Sequence, residues 1–209
     1  MRLYLSSYRL GDGGDLLREL VGPLPRAAVV LNAYDGASSG ERKRRLEREF
    51  ESMASLSITA EELDLRNHVG GPADELAQRL SQCGLVWVCG GDPFLLLDTM
   101  RASGFDGLLL ELLAEDAIVY GGYSAGAMVF APMLRSLDHL TSDAAPAQGL
   151  GLLPYAIAPH YRSDGHPETA KFERMVQRYI DEHILFKALR DGQVIVVRGN
   201  TEMVVGGPE

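Results

Sequence analysis

Short runs in which every residue is apolar alternate along this chain with longer segments of helical period. The runs at 27–31 (Ala-Ala-Val-Val-Leu) and 85–89 (Leu-Val-Trp-Val-Cys) carry no polar position. Strands of this kind suit the middle of a parallel sheet, because helices cover both of its faces there. The alternation therefore predicts an α/β fold, a three-layer sandwich with a mostly parallel central sheet.

The predicted elements follow this alternation. Strands are predicted at 2–6, 27–31, 57–63, 85–89 and 117–121, and helices at 40–55, 72–83, 93–101, 107–115 and 167–182. Two further short runs, 187–190 and 193–198, flank Asp191-Gly192. Because Asp-Gly is a preferred turn between antiparallel strands, we expect these runs to form a C-terminal hairpin that closes the edge of the sheet.

Composition limits the classes of partner. The chain has 209 residues, so a single domain spanning 1–209 is expected. A formal net charge of −9 disfavours nucleic-acid binding. The basic run at 42–45 precedes several glutamates, as on a solvated helix face.

We also expect a soluble, cytoplasmic protein without a membrane partner. The sequence has no apolar run of the roughly 18 residues that a membrane span needs, and its start shows no secretory leader. A homodimer is the assembly we consider. The two cysteines, Cys83 and Cys89, match neither a disulfide framework nor a zinc site, and Cys89 is expected to be a small buried residue.

The sequence Gly-Tyr-Ser-Ala-Gly at 122–126 lies between an apolar run and a helix-forming run. Small residues on both sides of Ser124 allow a sharp strand-to-helix turn, which exposes the hydroxyl above the sheet. The N–H groups at the start of the following helix, including that of Ala125, would face a developing oxyanion. This pattern predicts a serine hydrolase with Ser124 as the nucleophile.

A serine nucleophile needs a base, and the chain offers five histidines: His68, His139, His160, His166 and His183. We select His160, because residues 157–159 are expected to end a strand and catalytic groups gather at such ends in open α/β sheets. His166 precedes Pro167 and is interpreted as a cap for the helix that follows. His183 lies near a helix end, where a positive charge is favourable.

The third residue should be a carboxylate that orients the imidazole. Asp191 can do this, although Asp is also favoured in such a turn for backbone reasons. From the residues alone the choice stays open between Asp191 and three alternatives, Asp138, Asp143 and Asp164.

A second glycine turn, Cys-Gly-Gly-Asp-Pro at 89–93, follows the preceding strand. Gly90, Gly91 or Asp92 could donate a further N–H to the oxyanion or contact the substrate, whereas Pro93 has no N–H. The structural interpretation is an ordinary turn in which Asp92 caps the next helix and Pro93 occupies its first position. Both interpretations can hold together.

Taken together, these motifs resemble peptidase family S51, which includes aspartyl dipeptidase (peptidase E) and cyanophycinase and has a fold similar to class I glutamine amidotransferases. The resemblance covers most of the chain. Its marks are the Gly-Gly turn followed by Phe-Leu-Leu-Leu at 94–97, the Gly-Tyr-Ser-Ala-Gly-Ala turn, Pro-His-Tyr at 159–161 and Asp-Gly at 191–192. They occur in the family's order, with the acid after the histidine, whereas α/β-hydrolases place the acid between serine and histidine.

The resemblance implies Ser124 as nucleophile, His160 as base and Asp191 in the third place. Peptidase E is described with Glu at that place, and an Asp shortly after the nucleophile has been proposed for the same role, which here falls near Asp138. The family's first turn usually reads Gly-Gly-Gly-Asn-Thr. If Asp92 faces the pocket, its charge would repel an N-terminal Asp side chain, so strict aspartyl-dipeptidase specificity is not expected.

The predicted function is hydrolysis of short peptides through an acyl-enzyme on Ser124, with a small peptide as the substrate and neither a metal nor an organic cofactor. Glutamine amidotransfer is not expected, because those enzymes carry Cys in place of the serine. Two alternatives stay open: an esterase or amidase acting on a small non-peptide substrate, and an inactive binding protein of the same fold.

Overall fold

A computed structural model describes residues 1–135 and 147–207 of the chain. Its strands are β1 (Arg2–Ser6), β2 (Arg26–Val30), β3 (Thr59–Glu62), β4 (Leu85–Val88), β5 (Val119–Tyr123), β6 (Met133–Leu134), β7 (Ala147–Gln148), β8 (Ala156–Ala158), β9 (Phe186–Ala188), β10 (Val194–Arg198) and β11 (Thr201–Val205). Its α-helices are α1 (Gly14–Val21), α2 (Ser39–Ser55), α3 (Ala73–Leu80), α4 (Pro93–Ala102), α5 (Phe105–Ala114), α6 (Ala125–Met128) and α7 (Thr169–Asp181). Two short 3₁₀ turns lie at Asn32–Tyr34 and Leu65–His68.

The main sheet has seven strands in the order β11-β10-β1-β5-β4-β2-β3. The five neighbouring strands β1, β5, β4, β2 and β3 pair in parallel. β10 pairs antiparallel with β1 on one side and with β11 on the other. β5 therefore lies between β1 and β4, in the interior of the sheet. This arrangement places whatever follows β5 at the centre of the sheet's carboxyl edge.

Helices cover both faces of this sheet. On one face, buried side chains of α1 and α2 pack against Trp87 and other residues of the central strands. On the opposite face, α3, α4, α5, α6 and α7 pack on a larger apolar cluster. The predicted three-layer α/β sandwich with a mostly parallel sheet is confirmed. Cys83 and Cys89 are both free and buried, as expected for Cys89.

The position of the C-terminal hairpin differs from the prediction. The two runs around Asp191-Gly192 do not pair with each other, because β9 extends β8 in a separate small parallel sheet while β10 joins β1. The antiparallel hairpin lies one strand further along and joins β10 to β11. The Asp-Gly turn thus connects two sheets, and Asp191 lies where one sheet passes to the other.

Four helices or strands of the described residues were not predicted, and one strand is shifted from its predicted position. The missed elements are α1, which follows a glycine-rich turn, the short strands β6 and β7, and β11 at the sheet edge. β5 has the predicted length of five residues but lies two residues further along, because it continues through Gly121 and Gly122 to Tyr123. Within residues 1–135 and 147–207, no helix combines the length and apolar character that crossing a membrane requires.

Candidate active site

The ends of three neighbouring strands meet at the centre of the sheet's carboxyl edge. Ser6 of β1 lies beside Tyr123 of β5, and Val88 of β4 lies beside Gly122. The residues that follow these strands, Ser7, Gly90 and Ser124, are therefore brought together by sheet register. This is the position at which open α/β sheets bind ligands.

Ser124 forms a strained turn between β5 and α6. Its backbone has φ 50° and ψ −115°, in a region that residues with a side chain rarely adopt, and its side chain makes no capping hydrogen bond to the helix. The hydroxyl is therefore available for a partner outside the turn. A Cβ at Gly126 would collide with the carbonyl oxygen of Val88, so the second glycine of the motif is needed where α6 approaches β4.

The neighbouring turn after β4 approaches Ser124 closely. A Cβ at Gly90 would lie 2.9 Å from the Ser124 Cβ, closer than real side-chain contacts. Glycine at this position therefore leaves room for the serine and for a reacting group above it.

Tyr123, which precedes the serine, donates a hydrogen bond to a buried carboxylate on the face of the sheet that α1 and α2 cover. Glu49 of α2 accepts hydrogen bonds from Tyr123 Oη at 2.8 Å and from Trp87 Nε1 at 2.9 Å. Burial holds the pKa of Tyr123 well above its ordinary value, so its hydroxyl stays a neutral donor. The start of the turn is thus tied to α2 and β4.

His160 follows β8 and lies within hydrogen-bond distance of Ser124. The distance from His160 Nε2 to Ser124 Oγ is 3.0 Å, and the ring is almost fully buried. The His160 backbone also has a positive φ of 56° and donates its N–H to Ser7 Oγ at 2.8 Å. An unusual backbone conformation is therefore held in place by Ser7, the residue directly after β1.

Asp191 contacts the other nitrogen of the same imidazole. Its Oδ1 lies 2.7 Å from His160 Nδ1 and 2.8 Å from Ser7 Oγ, and its N–H donates to Ser163 Oγ at 2.8 Å. Burial alone would raise the pKa of the Asp191 carboxyl, but hydrogen bonds from His160 and Ser7 outweigh it and hold the pKa below its ordinary value. The carboxylate is thus charged where it can stabilise a protonated imidazole.

The other acids and histidines considered for these roles lie elsewhere. Asp138, Asp143 and His139 fall outside the described residues. Asp164 lines a neighbouring pocket, but the acid bonded to His160 Nδ1 is Asp191. His68 is buried in a 3₁₀ turn after β3, and His183 is exposed just beyond α7.

The turn after β4 divides its roles among three residues. The Asp92 carboxylate accepts hydrogen bonds from the N–H groups of Phe94 and Leu95, with Pro93 at the first position of α4. The Asp92 N–H donates to the Ala33 carbonyl. Asp92 is therefore a helix cap, as in the structural interpretation of the sequence, and the donors this turn can offer are Gly90 and Gly91. The Ala125 N–H, directly after the serine in sequence, is at the start of α6.

A small cavity of about 250 Å³ lies over Ser124 and His160. Its walls include Arg45 and Glu168, one of each charge, and the rings of Tyr8, Tyr34, Tyr123 and His166. The sequence analysis identified neither this lining nor Ser7 and Ser163. The signal that could have found Ser7 is its position directly after β1, a strand that borders β5.

The site also contains a group of possible metal-binding side chains. One ligand atom from each of His160, His166 and Glu168 lies within 4.8 Å of the others. However, the two imidazole rings are stacked face to face, 3.7 Å apart and 3° from parallel. Lone pairs in parallel planes do not converge on one ion at the roughly 2.0–2.1 Å that zinc–nitrogen bonds require. We therefore assign no metal ligands here.

The sheet and the Ser124–His160–Asp191 hydrogen-bond chain together define the class of α/β proteins with a serine-hydrolase site. The sequence model of peptidase family S51 matches residues 35–205. The chain therefore belongs to peptidase family S51, a family of serine-type peptidases, and the resemblance drawn from its motifs is confirmed.

Several relatives are similar over most of the chain. Peptidase E of Streptomyces coelicolor is 33% identical over 151 residues, which span 69% of this chain and 60% of that protein. Peptidase E of Shewanella amazonensis is 25% identical over 99% of this chain and 88% of its own length. The chain thus matches less than two thirds of the Streptomyces relative.

Solved structures share the fold. The crystal structure of a peptidase from an acI-B1 Actinobacterium has a TM-score of 0.76 and 18% identity, covering 99% of this chain and 87% of that one. A crystal structure from Listeria monocytogenes EGD-e has the same TM-score with 22% identity, and covers 99% of this chain and 98% of that one.

Proposed function

We propose that this chain hydrolyses short peptides through an acyl-enzyme on Ser124. The observation that carries the proposal is the continuous hydrogen-bond chain from Ser124 Oγ through His160 to Asp191, at the centre of the sheet's carboxyl edge. The names of the relatives support it: two are called peptidase E, and a Drosophila melanogaster relative, 25% identical over 62% of this chain, is called a probable alpha-aspartyl dipeptidase.

Acylation begins when the Ser124 oxygen attacks the carbonyl carbon of the scissile peptide bond. His160 Nε2 takes the hydroxyl proton as the bond forms, and Asp191 stabilises the resulting imidazolium. The carbonyl oxygen becomes an oxyanion, which the N–H groups of Gly91 and Ala125 would hold. Removing one such donor costs about 10²–10³ in rate in enzymes of this kind.

Collapse of the tetrahedral intermediate breaks the C–N bond and leaves an ester on Ser124. His160 gives its proton to the departing amine, so the amine leaves neutral. Water then attacks the ester while His160 removes one of its protons, and the second collapse releases the acid and restores the serine hydroxyl. The residues of this chain balance every proton transfer, so no cofactor enters the proposed mechanism.

The dimensions and charges of the cavity favour a small substrate. The cavity of about 250 Å³ adjoins a second one of about 480 Å³, with which it shares five lining residues. The two together lie within the range of roughly 300–1,000 Å³ that is typical of small-ligand sites. Arg45, which pairs with Glu41, and Glu168, which pairs with Lys171, bring one positive and one negative group to the cavity wall, which suits a peptide with free termini. Asp92 is engaged as a helix cap, so the repulsion of an acidic substrate considered from the sequence is not part of this proposal.

The first test compares wild type, Ser124→Ala and a matched control, Ser81→Ala. Ser81 is exposed at the end of α3, before β4, at the opposite edge of the sheet from Ser124. Cleavage of a dipeptide panel should require Ser124 and be unaffected at Ser81. Equal turnover by wild type and Ser124→Ala would disprove the mechanism.

A fluorophosphonate probe separates the alternatives. Labelling at Ser124 without cleavage of any peptide would indicate the esterase or amidase. No labelling of the folded protein would indicate a binding protein of the same fold. Cytoplasmic location and homodimer formation remain predictions, which cell fractionation and light scattering can check.

A further inference from the structure

His166 covers one face of the His160 ring. The ring centroids are 3.7 Å apart and the planes differ by 3°, while the Phe172 ring meets His160 edge-on at 5.3 Å. His160 is only 1% exposed. The imidazole that links Ser124 to Asp191 therefore has a second imidazole, not solvent, against its face.

The protein holds His166 in this position through several contacts. Its N–H donates to the Ser163 carbonyl at 3.1 Å, and its own carbonyl accepts from Thr169 N–H at 3.2 Å. Its Nδ1 accepts the Glu168 N–H at 3.3 Å, so the neutral ring carries its proton on Nε2. The Tyr8 ring packs edge-on at 5.3 Å. Ser163 also binds the Asp191 N–H through its hydroxyl, so one loop positions both neighbours of His160.

The neutral ring stacked on His160 is a π-partner for the imidazolium that forms when His160 takes the proton of Ser124. Cations are attracted to the face of a flat π-system, and the attraction is stronger where water is excluded. Burial and the nearby His160 lower the pKa of His166, which keeps His166 neutral when His160 takes up a proton.

Other titratable or charged groups also surround the two rings. In the surrounding loops these are Asp164, Glu168 and Asp191. Tyr34 lies in the 3₁₀ turn after β2 and Arg45 in α2. Tyr8 and Tyr123 lie near the ends of β1 and β5.

We propose that His166 is a positioning residue, which holds the His160 ring in the plane that joins Ser124 to Asp191 and stabilises its protonated form by stacking. The inference rests on the proposed function, because it concerns the proton transfer from Ser124. His166 acts through His160 and has no bond to make or break.

The test is the rate of fluorophosphonate labelling at Ser124 from about pH 5 to pH 9, the range in which histidine titrates. It uses the full chain as wild type, His166→Ala, His166→Phe and a control, His183→Asn. His183 is exposed beyond α7 and has a positive φ of 55°, which Asn tolerates. Thermal unfolding checks that each variant is folded.

We expect His166→Ala to label about three- to tenfold more slowly at its plateau, with the midpoint of its acid limb about half a pH unit lower, because the imidazolium loses its stacked partner. His166→Phe keeps a flat ring, so its rate and midpoint should lie close to those of wild type, as should those of His183→Asn. A purely structural role for His166 would slow labelling without moving the midpoint.

Two results would overturn the inference. The first is a midpoint in His166→Ala that stays in place or rises, whatever the labelling rate. The second is a His166→Phe variant as slow as His166→Ala, which would show that stacking is not the cause. A folded wild type that does not label overturns the proposed function as well, so the two failures are distinguishable.

Discussion

The turns after β4 and β5 lie side by side at the same edge of the sheet, and they are built in opposite ways. After β4, Asp92 caps a ten-residue helix with two hydrogen bonds and Pro93 begins it. After β5, Ser124 has a positive φ, leaves the helix uncapped and precedes a helix of four residues. The first turn uses its polar side chain for stability, whereas the second leaves its hydroxyl free for His160. The comparison indicates that a polar residue which leaves its helix uncapped is the one available for catalysis.

The largest expected effect comes from removing the charge at the far end of the hydrogen-bond chain. Asp191→Asn should lower the rate of Ser124 acylation by about 10³–10⁴, because the amide stabilises neither the correct tautomer nor the imidazolium. The measurement is the fluorophosphonate labelling rate. Asp164→Asn is the matched control and should change that rate by less than about threefold, which is under roughly 1 kcal/mol of barrier. A larger effect at Asp164 than at Asp191 would reassign the third residue.

The next largest effect is expected from a substitution that disrupts the turn after β5. Gly126→Ala places a methyl group against the Val88 carbonyl, so we expect a loss of about 1–3 kcal/mol in the free energy of unfolding and a strong loss of labelling. The control is Gly107→Ala in α5, where an added Cβ meets nothing within 4 Å and should stabilise the helix by up to about 1 kcal/mol. Urea denaturation measures both. Equal stability changes in the two variants would show that the close approach of α6 to β4 has no energetic cost.

A substitution in the turn after β4 should lower the free energy of unfolding more than it lowers the labelling rate. Asp92→Ala removes both capping hydrogen bonds and should cost about 0.5–2 kcal/mol, while the labelling rate changes by less than about threefold. Asp92→Asn keeps the cap and should recover most of the stability. If Asp92→Ala abolished labelling at unchanged stability, Asp92 would belong to the chemical site and the contrast between the turns would fail.

The smallest effect is a pH dependence of stability. The folded-state pKa of Asp191 is depressed, so its contribution to stability is present above the unfolded pKa of about 3.9 and is lost as the pH falls through the folded value. The difference in unfolding free energy between wild type and Asp191→Asn should therefore shrink from pH 6 to pH 3. Denaturation curves at several pH values measure it, and a difference that grows on acidification would contradict the assignment.

Local patterns predicted the parts of the molecule that depend on neighbours in sequence. The apolar runs of β4 and β5 and the small residues around Ser124 follow directly from residue type. The Asp-Gly turn was recognised as a turn, but its flanking strands pair with β8 and β1, a tertiary choice that the turn itself does not encode. α1 was missed because it is short and follows glycines.

The candidate site divides in the same way. Ser124 and His160 were chosen from their strand-end positions, and Asp191 from the order of motifs in the resembling family. Ser7 and His166 escaped because their roles come from contacts with other parts of the fold. Ser7 meets His160 across 153 residues, and the stacking of His166 depends on how its loop folds back over the site. A histidine before a proline carries no local sign of stacking, and the position of Ser7 after a strand indicates its role only once β1 is known to border β5.

The close approach of Gly90 to Ser124 has an evolutionary consequence. A side chain at Gly90 would meet the Ser124 Cβ at 2.9 Å, so the two turns cannot vary independently during divergence. A lineage could exchange the nucleophile for a residue of similar size without disturbing its neighbour, but any enlargement of one turn would first require a shift of the other. The order in which substitutions can accumulate at this edge of the sheet is therefore restricted by a single contact between two adjacent strands.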